Sequence, residues 1–345
     1  MISKILVSKP FRLLVLVGVS VCLAAGLFGW HWLHDPMEIP EDKQTLELSP
    51  GDSLSRVAYR LRGEIGLQYP RLLILYARIA KTTNIKLGEY ELPASVTPVQ
   101  LLQQLHDGRV KQRTLTLVEG ITFADALKLI TANENLKTTL QDVDVSAVRA
   151  RLGIEQDNPE GWLFPDTYVF TKHTTDWDLI QQAYLRMQEV LAEEWEMRSE
   201  DLPYDNAYEA LIMASIVEKE TGAEHERAEI AGVFVRRLNK GMRLQTDPTV
   251  IYGMGSNYQG NIRRKHLREK TLYNTYMING LPPTPIALPG REAIHAALHP
   301  AEGKSLYFVA KGDGTHYFSE TLAEHTNAVK KYQLQRSSSY RSSVQ

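Results

Sequence analysis

The sequence predicts an α+β protein built as one N-terminal membrane-spanning helix, a small subdomain and a larger α+β domain. Three observations carry that expectation. Residues 13–32 contain no Asp, Glu, Lys or Arg. Short segments bounded by turn residues, at 46–48, 87–92 and 305–319, read as strands. Stretches with apolar residues every three or four positions, at 123–132, 177–196, 207–220 and 227–239, read as helices.

Lys4, Lys9 and Arg12 precede the apolar span, and Trp30 and Trp32 close it. About 18 to 20 apolar residues suffice to cross a bilayer. Tryptophan favours the interface, and the preceding cations hold the tail, residues 1–12, in the cytoplasm. A cleaved signal peptide would have a shorter apolar core and a small-residue cleavage site. Here Trp30-His31-Trp32-Leu33-His34 follows, so an uncleaved anchor is expected, with the remaining chain outside the cytoplasm. The only cysteine, Cys22, lies in the span, which excludes disulfides and cysteine chemistry beyond it. Net charge is −2 and no long basic run stands out, so nucleic acid is not an expected partner.

Residues 33–44 are polar, with Pro36 and Pro40, and read as a linker. Leu46-Glu47-Leu48 then alternates as a strand, Pro50-Gly51 turns, and Asp52 or Ser53 caps a helix with Leu54, Val57, Ala58 and Leu61 on one side. A second helix is expected over 69–80 and a returning strand over 87–92. Thr97-Pro98 starts a further helix that Gly108 ends. The strand-turn-helix pattern of 46–54 recurs at 115–123, an offset of 69 residues. We read it as a repeated local solution rather than a duplication. Beyond residue 114 the four long helices are joined by an aromatic loop at 160–168, by 244–249, by 273–276 and by the proline-rich 280–285. Residues 305–310 and 315–319 suit a hairpin across Gly312-Asp313-Gly314. The Ser- and Arg-rich end, 332–345, is expected to be disordered.

Leu211 to Glu220 is an apolar helical run that ends in two carboxylates around Lys219. Leu211, Ala214 or Ser215, and Glu218 share one face. The helix should stop at Thr221-Gly222, which puts Glu218 at the negative end of the dipole and raises its pKa toward that of a general acid. The plainer reading is a solvated helix end with an ion pair at Lys219. Glu220 projects about 200° around the helix from Glu218 and reads as a supporting group. Asp247, in Asp-Pro, suits either a first-turn cap or a second acid near Glu218. Tyr273, Asn274 and Tyr276 suit either loop packing or sugar contact. Glu160 and Asp166 read as holding loop turns. Carboxylates, amides, hydroxyls and aromatics on loops fit a carbohydrate cleft. His295, His299, His316 and His325 are scattered and form no short ligand pair, so no metal or cofactor is expected. Ser215 lacks the elbow of a serine hydrolase, and no phosphate-binding loop is present.

Five ordered segments carry a family resemblance: Glu160-Gly-Trp-Leu-Phe-Pro-Asp-Thr-Tyr168, Ser215-Ile-Val-Glu-Lys-Glu220, Leu244-Gln-Thr-Asp-Pro-Thr-Val-Ile-Tyr252, Tyr273-Asn-Thr-Tyr276 and Gly280-Leu-Pro-Pro283. With them the chain resembles the endolytic murein transglycosylases, the YceG-like family, from the anchor to about residue 330. Thr271-Leu272 departs from the Ser-Pro expected before Tyr273. Pro50-Gly51-Asp52-Ser53-Leu54 resembles the start of a LysM-type module, so 45–112 is expected as a LysM-like subdomain and 113–331 as the catalytic domain. The resemblance implies cleavage of the β-1,4 bond between N-acetylmuramic acid and N-acetylglucosamine within nascent glycan strands, leaving 1,6-anhydro ends. It implies Glu218 as the catalytic residue, acting as acid and then base. Substrate contacts are expected from Glu220, Gln245, Asp247, Thr249, Tyr252, Tyr273, Asn274 and Tyr276. An inner-membrane anchor with a periplasmic catalytic domain follows from the family, as do peptidoglycan synthases as partners. The rival expectations are a muramidase-type hydrolase using Glu218 and Asp247, and a non-catalytic peptidoglycan-binding scaffold.

Overall fold

A computed structural model describes residues 9–140 and 144–334. The chain divides into two compact units, residues 1–113 with 171–173 and residues 114–170 with 174–345. The end of the chain read as disordered falls, from residue 335, outside the described residues, and so does most of the tail before the span.

The first unit begins with α1 (Lys9–His34). Its segment Phe11–His34 contains an 18-residue window of mean hydropathy 2.3 and is long and apolar enough to cross a membrane, a composition that suits an anchor and a signal sequence alike. The last turns belong to the folded unit. Leu33 is buried, and Phe28 and Trp32 set ring edges against Tyr69 at 5.5 and 5.4 Å. The stretch read as a linker is folded as well. Met37–Glu38 (β1) pair antiparallel with Ser95–Val96 (β4), and Ile39 is buried. Met37 and Ile39 alternate with polar neighbours, and a period of two turns both toward the core.

Thr45–Leu48 (β2) and Gly88–Glu91 (β3) form a second antiparallel pair, with Leu46 opposite Tyr90. Between them run α2 (Leu54–Glu64) and α3 (Pro70–Ile79), and α4 (Pro98–Asp107) follows. Thr97 and Gln100 close a capping box on α4, and Gly108 ends it at φ 76°, a left-handed conformation that glycine adopts without strain. Leu48, Val57, Ala58, Leu61, Tyr90 and Leu101 form the centre of this core.

Arg113–Thr116 (β5), which lies in the second unit from Thr114 on, pairs with Thr167–Phe170 (β6). The helices of this unit are α5 (Phe123–Thr131), α6 (Val145–Leu152), α7 (Asp176–Glu196), α8 (Ala207–Glu220), α9 (Arg227–Asn239), α10 (Asp247–Met254), α11 (Arg291–Leu298) and α12 (Leu322–Tyr332). Tyr307–Ala310 (β7) and His316–Ser319 (β8) form the expected hairpin. Every residue of α8 from Ala210 to Val217 is buried. A helix apolar on all sides must lie at the centre of its domain, and α7, α9, α10 and α11 pack around it.

The recurrent strand-turn-helix pattern is structurally alike in both places. Gly51 and Gly120 take φ of 92° and 77°. Ser53 and Thr122 accept the backbone N–H of Arg56 and Asp125. Leu54, Val57, Ala58 and Leu61 are buried in one copy, and Phe123, Ala126, Leu127 and Ile130 in the other.

Candidate active site

Glu218 stands in the last turn of α8, which stops where expected, at Thr221. Burial along the apolar helix raises its pKa. One backbone donor opposes that effect: the Gly290 N–H, at the start of α11, donates to Glu218 Oε2 at 3.0 Å. A single such bond does not offset the loss of water around the carboxylate, so the net shift is upward.

The turn before α5 is fixed beside this carboxyl. Gly120 and Leu288 exchange backbone bonds with their neighbours across the gap, Gly120 N–H to Leu288 O and Leu288 N–H to Ile121 O, both at 2.8 Å. Lys219 Nζ adds a bond to Gly120 O at 2.9 Å. The clamp delivers Glu119, whose negative charge raises the Glu218 pKa further. Glu119 Oε1 would lie 1.8 Å from a Cβ placed on Gly290, so a side chain there would displace the Glu119 carboxylate from beside the Gly290 N–H. Arg227 Nη2 sits 3.8 Å from Glu119 Oε2. Glu119 has no motif signal of its own. It occupies the position that Pro50 holds in the first copy of the recurrent turn, and tertiary bonds bring it to Glu218.

The residues expected to contact substrate fall into two groups. In the first, Thr246 Oγ1 donates to Glu220 Oε1, and Tyr276 O–H donates to Asp247 Oδ1 at 2.7 Å. Burial pushes Glu220 up to about 7, and the neighbouring Asp247 charge adds to it. Gln245 is exposed at the mouth of this loop with φ 52°, a left-handed conformation costly for a side chain with a Cβ. In the second, Tyr252 O–H donates to Glu160 Oε2 at 3.1 Å, and the Tyr273 ring meets Tyr252 at 4.9 Å. Glu160 is buried, accepts the Phe123 N–H at 2.7 Å, and is pushed up to about 7 by its burial.

Two of the expected contacts face inward. Asn274 is 1% exposed, and its amide donates to the carbonyls of His266 and Glu269 at 3.0 and 2.6 Å. Thr249 is fully buried and donates to Thr246 O at 2.9 Å. Both hold loops, and neither offers a free group to a sugar. Ser215 is also structural: it donates to Ile212 O and accepts the Ile286 N–H, at 2.7 and 2.9 Å.

The family model of the YceG-like family matches residues 46–331. The chain belongs to the YceG-like family. It is 29% identical over 332 residues to the endolytic murein transglycosylase of Bacillus subtilis (strain 168), covering 87% of this chain and 88% of that protein. It is 27% identical to the endolytic murein transglycosylase of Streptococcus pneumoniae serotype 2, covering 94% of this chain and 65% of that longer protein. A crystal structure of a YceG-like protein from Listeria monocytogenes is 30% identical, with TM-score 0.49, over 82% of this chain and 98% of that one.

Two features of this YceG-like chain correct the sequence reading. The histidines are not all scattered, because His295 and His299 meet Glu194 with donor atoms within 4.8 Å. Those atoms are already occupied: Glu194 pairs with Arg291 at 2.7 Å and His295 at 2.9 Å, and His299 Nε2 meets Met197 O at 2.8 Å. The cluster is a clasp between α7 and α11. Second, Arg263-Arg264-Lys265-His266-Leu267-Arg268-Glu269-Lys270 is a basic run after all.

Proposed function

We propose that this protein is a membrane-anchored endolytic lytic transglycosylase. It would cleave the bond between N-acetylmuramic acid and N-acetylglucosamine within nascent glycan strands and leave 1,6-anhydro ends. The observation that carries the reading is Glu218, a carboxyl whose pKa burial raises at the end of the central helix and which meets one backbone donor. Family membership and the names of the relatives support the reaction class.

In the first half of the reaction Glu218 gives its proton to the glycosidic oxygen as the C1–O4 bond breaks. In the second it takes the proton of the muramic C6 hydroxyl as O6 bonds to C1. The proton account closes on one carboxyl, and no water is consumed. Glu119 keeps the Glu218 proton in place before the first step, since like charges disfavour ionisation. Lys219 and Arg227 are close enough to stabilise the carboxylate formed midway. Gln245, Asp247, Tyr273 and Tyr276 are the groups we assign to sugar contact, and Glu220 supports their loop through Thr246. A hydrolase would pair Glu218 with a second carboxylate. Asp247 is tied to Tyr276 and acts electrostatically on Glu220, which argues against that role.

The first unit we read as LysM-like, supported by the order β2-α2-α3-β3 with an antiparallel strand pair. We assign α1 as an inner-membrane anchor, N-terminus inside and the second unit periplasmic, on the strength of Trp30, Trp32 and the preceding cations. Synthases that supply the nascent strands are the partners this placement fits. Glu218→Gln tests the assignment. Release of products from purified strands should fall by about a thousandfold or more, with thermal unfolding unchanged, and retained cleavage would overturn it.

A further inference from the structure

The loop at 263–270 carries five cations against one carboxylate: Arg263, Arg264, Lys265, Arg268 and Lys270 beside Glu269. All five are exposed. Among the described residues none has a carboxylate within ion-pair distance, whereas Arg56, Arg60, Arg113, Arg227 and Arg291 are all paired. Like charges gathered without counter-charges repel one another, so their concentration calls for an anionic ligand.

The loop is also a held platform. His266 Nδ1 accepts the Arg263 N–H at 3.1 Å, and a short 3-10 turn runs from His266 to Arg268. Buried Asn274 grips the carbonyls of His266 and Glu269 from beneath. The cations are thereby fixed to the segment that carries Tyr273 and Tyr276. Between the loop and α10 lies a cavity of about 870 Å³, lined by the cations Arg263, Arg264, Lys265 and Arg268, by the single carboxylate of Glu269, and by the amides of Asn257, Gln259 and Asn261. Its floor includes Gly253, where a Cβ would come within 2.9 Å of Tyr273 Cβ, so the cavity opens beside the proposed sugar contacts.

We propose that this cavity is an anion subsite for the carboxylates of the peptide stems that the glycan strand carries, a reading that rests on the glycan-cleaving function above. In an intact strand each muramic lactyl carboxyl is tied up in the amide to its peptide, so the stems are the strand's source of carboxylates. Guanidinium groups bind carboxylates in a two-pronged geometry, and side-chain amides suit a peptide backbone. A concave, amide-lined surface favours a peptide over a bilayer face. Exposed Leu272 is the neighbouring group a lipid surface would use, so lipid headgroups enter the test.

The full chain in detergent, carrying Glu218→Gln so that it does not cleave, is titrated with fluorescent glycan strands bearing peptides and with strands stripped of peptides whose freed lactyl carboxyls are capped as methylamides. Peptide-bearing strands should bind about tenfold or more tightly at low salt, with the difference shrinking as salt rises. Adding Arg263→Gln, Arg264→Gln, Lys265→Gln and Arg268→Gln should abolish the preference without changing thermal unfolding. Equal binding of the two strands, binding of neither, or a preference that survives the four substitutions overturns the proposal. So does a result in which only binding of soluble dihexanoyl phosphatidylglycerol depends on the four cations. Failure of the glycan-cleaving reading is read separately, from the product ends made by the wild type.

Discussion

The chemistry we propose turns on how Glu218 and Glu119 share one small space. Burial and the Glu119 charge raise the Glu218 pKa, and the Gly290 N–H, Arg227 and Lys219 lower it. In the proposed reaction the starting form is the protonated one, so activity should be present below the raised pKa and lost as pH rises through it. Glu119→Gln removes the like charge and lowers the Glu218 pKa. The alkaline limb of the kcat/KM profile should therefore move to lower pH, with the acid side little changed. An unmoved limb would mean that Glu119 does not act through Glu218. The position of Glu218 at the end of an apolar helix was legible in the sequence. Glu119 was not, because only the backbone bonds of Gly120 and Ile121 to Leu288 bring it there.

Among the elements, α8 matters most, because it carries the carboxyl and touches most of its unit. Ser215 stitches it to the 284–288 segment by accepting the Ile286 N–H in a fully buried setting. Ser215→Ala leaves that N–H without a partner, and a destabilisation of about 1–3 kcal/mol is expected in denaturant unfolding. A change near zero would show that the stitch adds nothing. The long helices were readable because their apolar residues recur with a helical period and their ends carry Thr, Asn or Gly signals. The short α6, α10 and α11 were not, since eight residues give barely two turns of pattern. The strand β6 was hidden within an aromatic loop. Asn274 and Thr249 looked like cleft residues because their chemistry suits sugars, and only burial shows that they serve the loops.

For the whole molecule, the last turns of the apolar helix and the rest of the first unit form one folded body. Leu33 and Ile39 lie in its core, and β1 completes the pair with β4. A soluble form beginning at residue 29 should therefore melt several degrees above one beginning at residue 45, since burying two large aliphatic side chains contributes about 3–6 kcal/mol. Equal melting temperatures would show that residues 29–44 hang free. The central claim concerns the product, because one carboxyl acting as acid and then base must leave a ring closed on C6. Mass spectrometry of the ends released from purified peptidoglycan strands tests it most directly. The account predicts muramic ends lighter than hydrolysed ones by one water from the wild type, and no new ends from Glu218→Gln. Hydrated reducing ends from the wild type would contradict it.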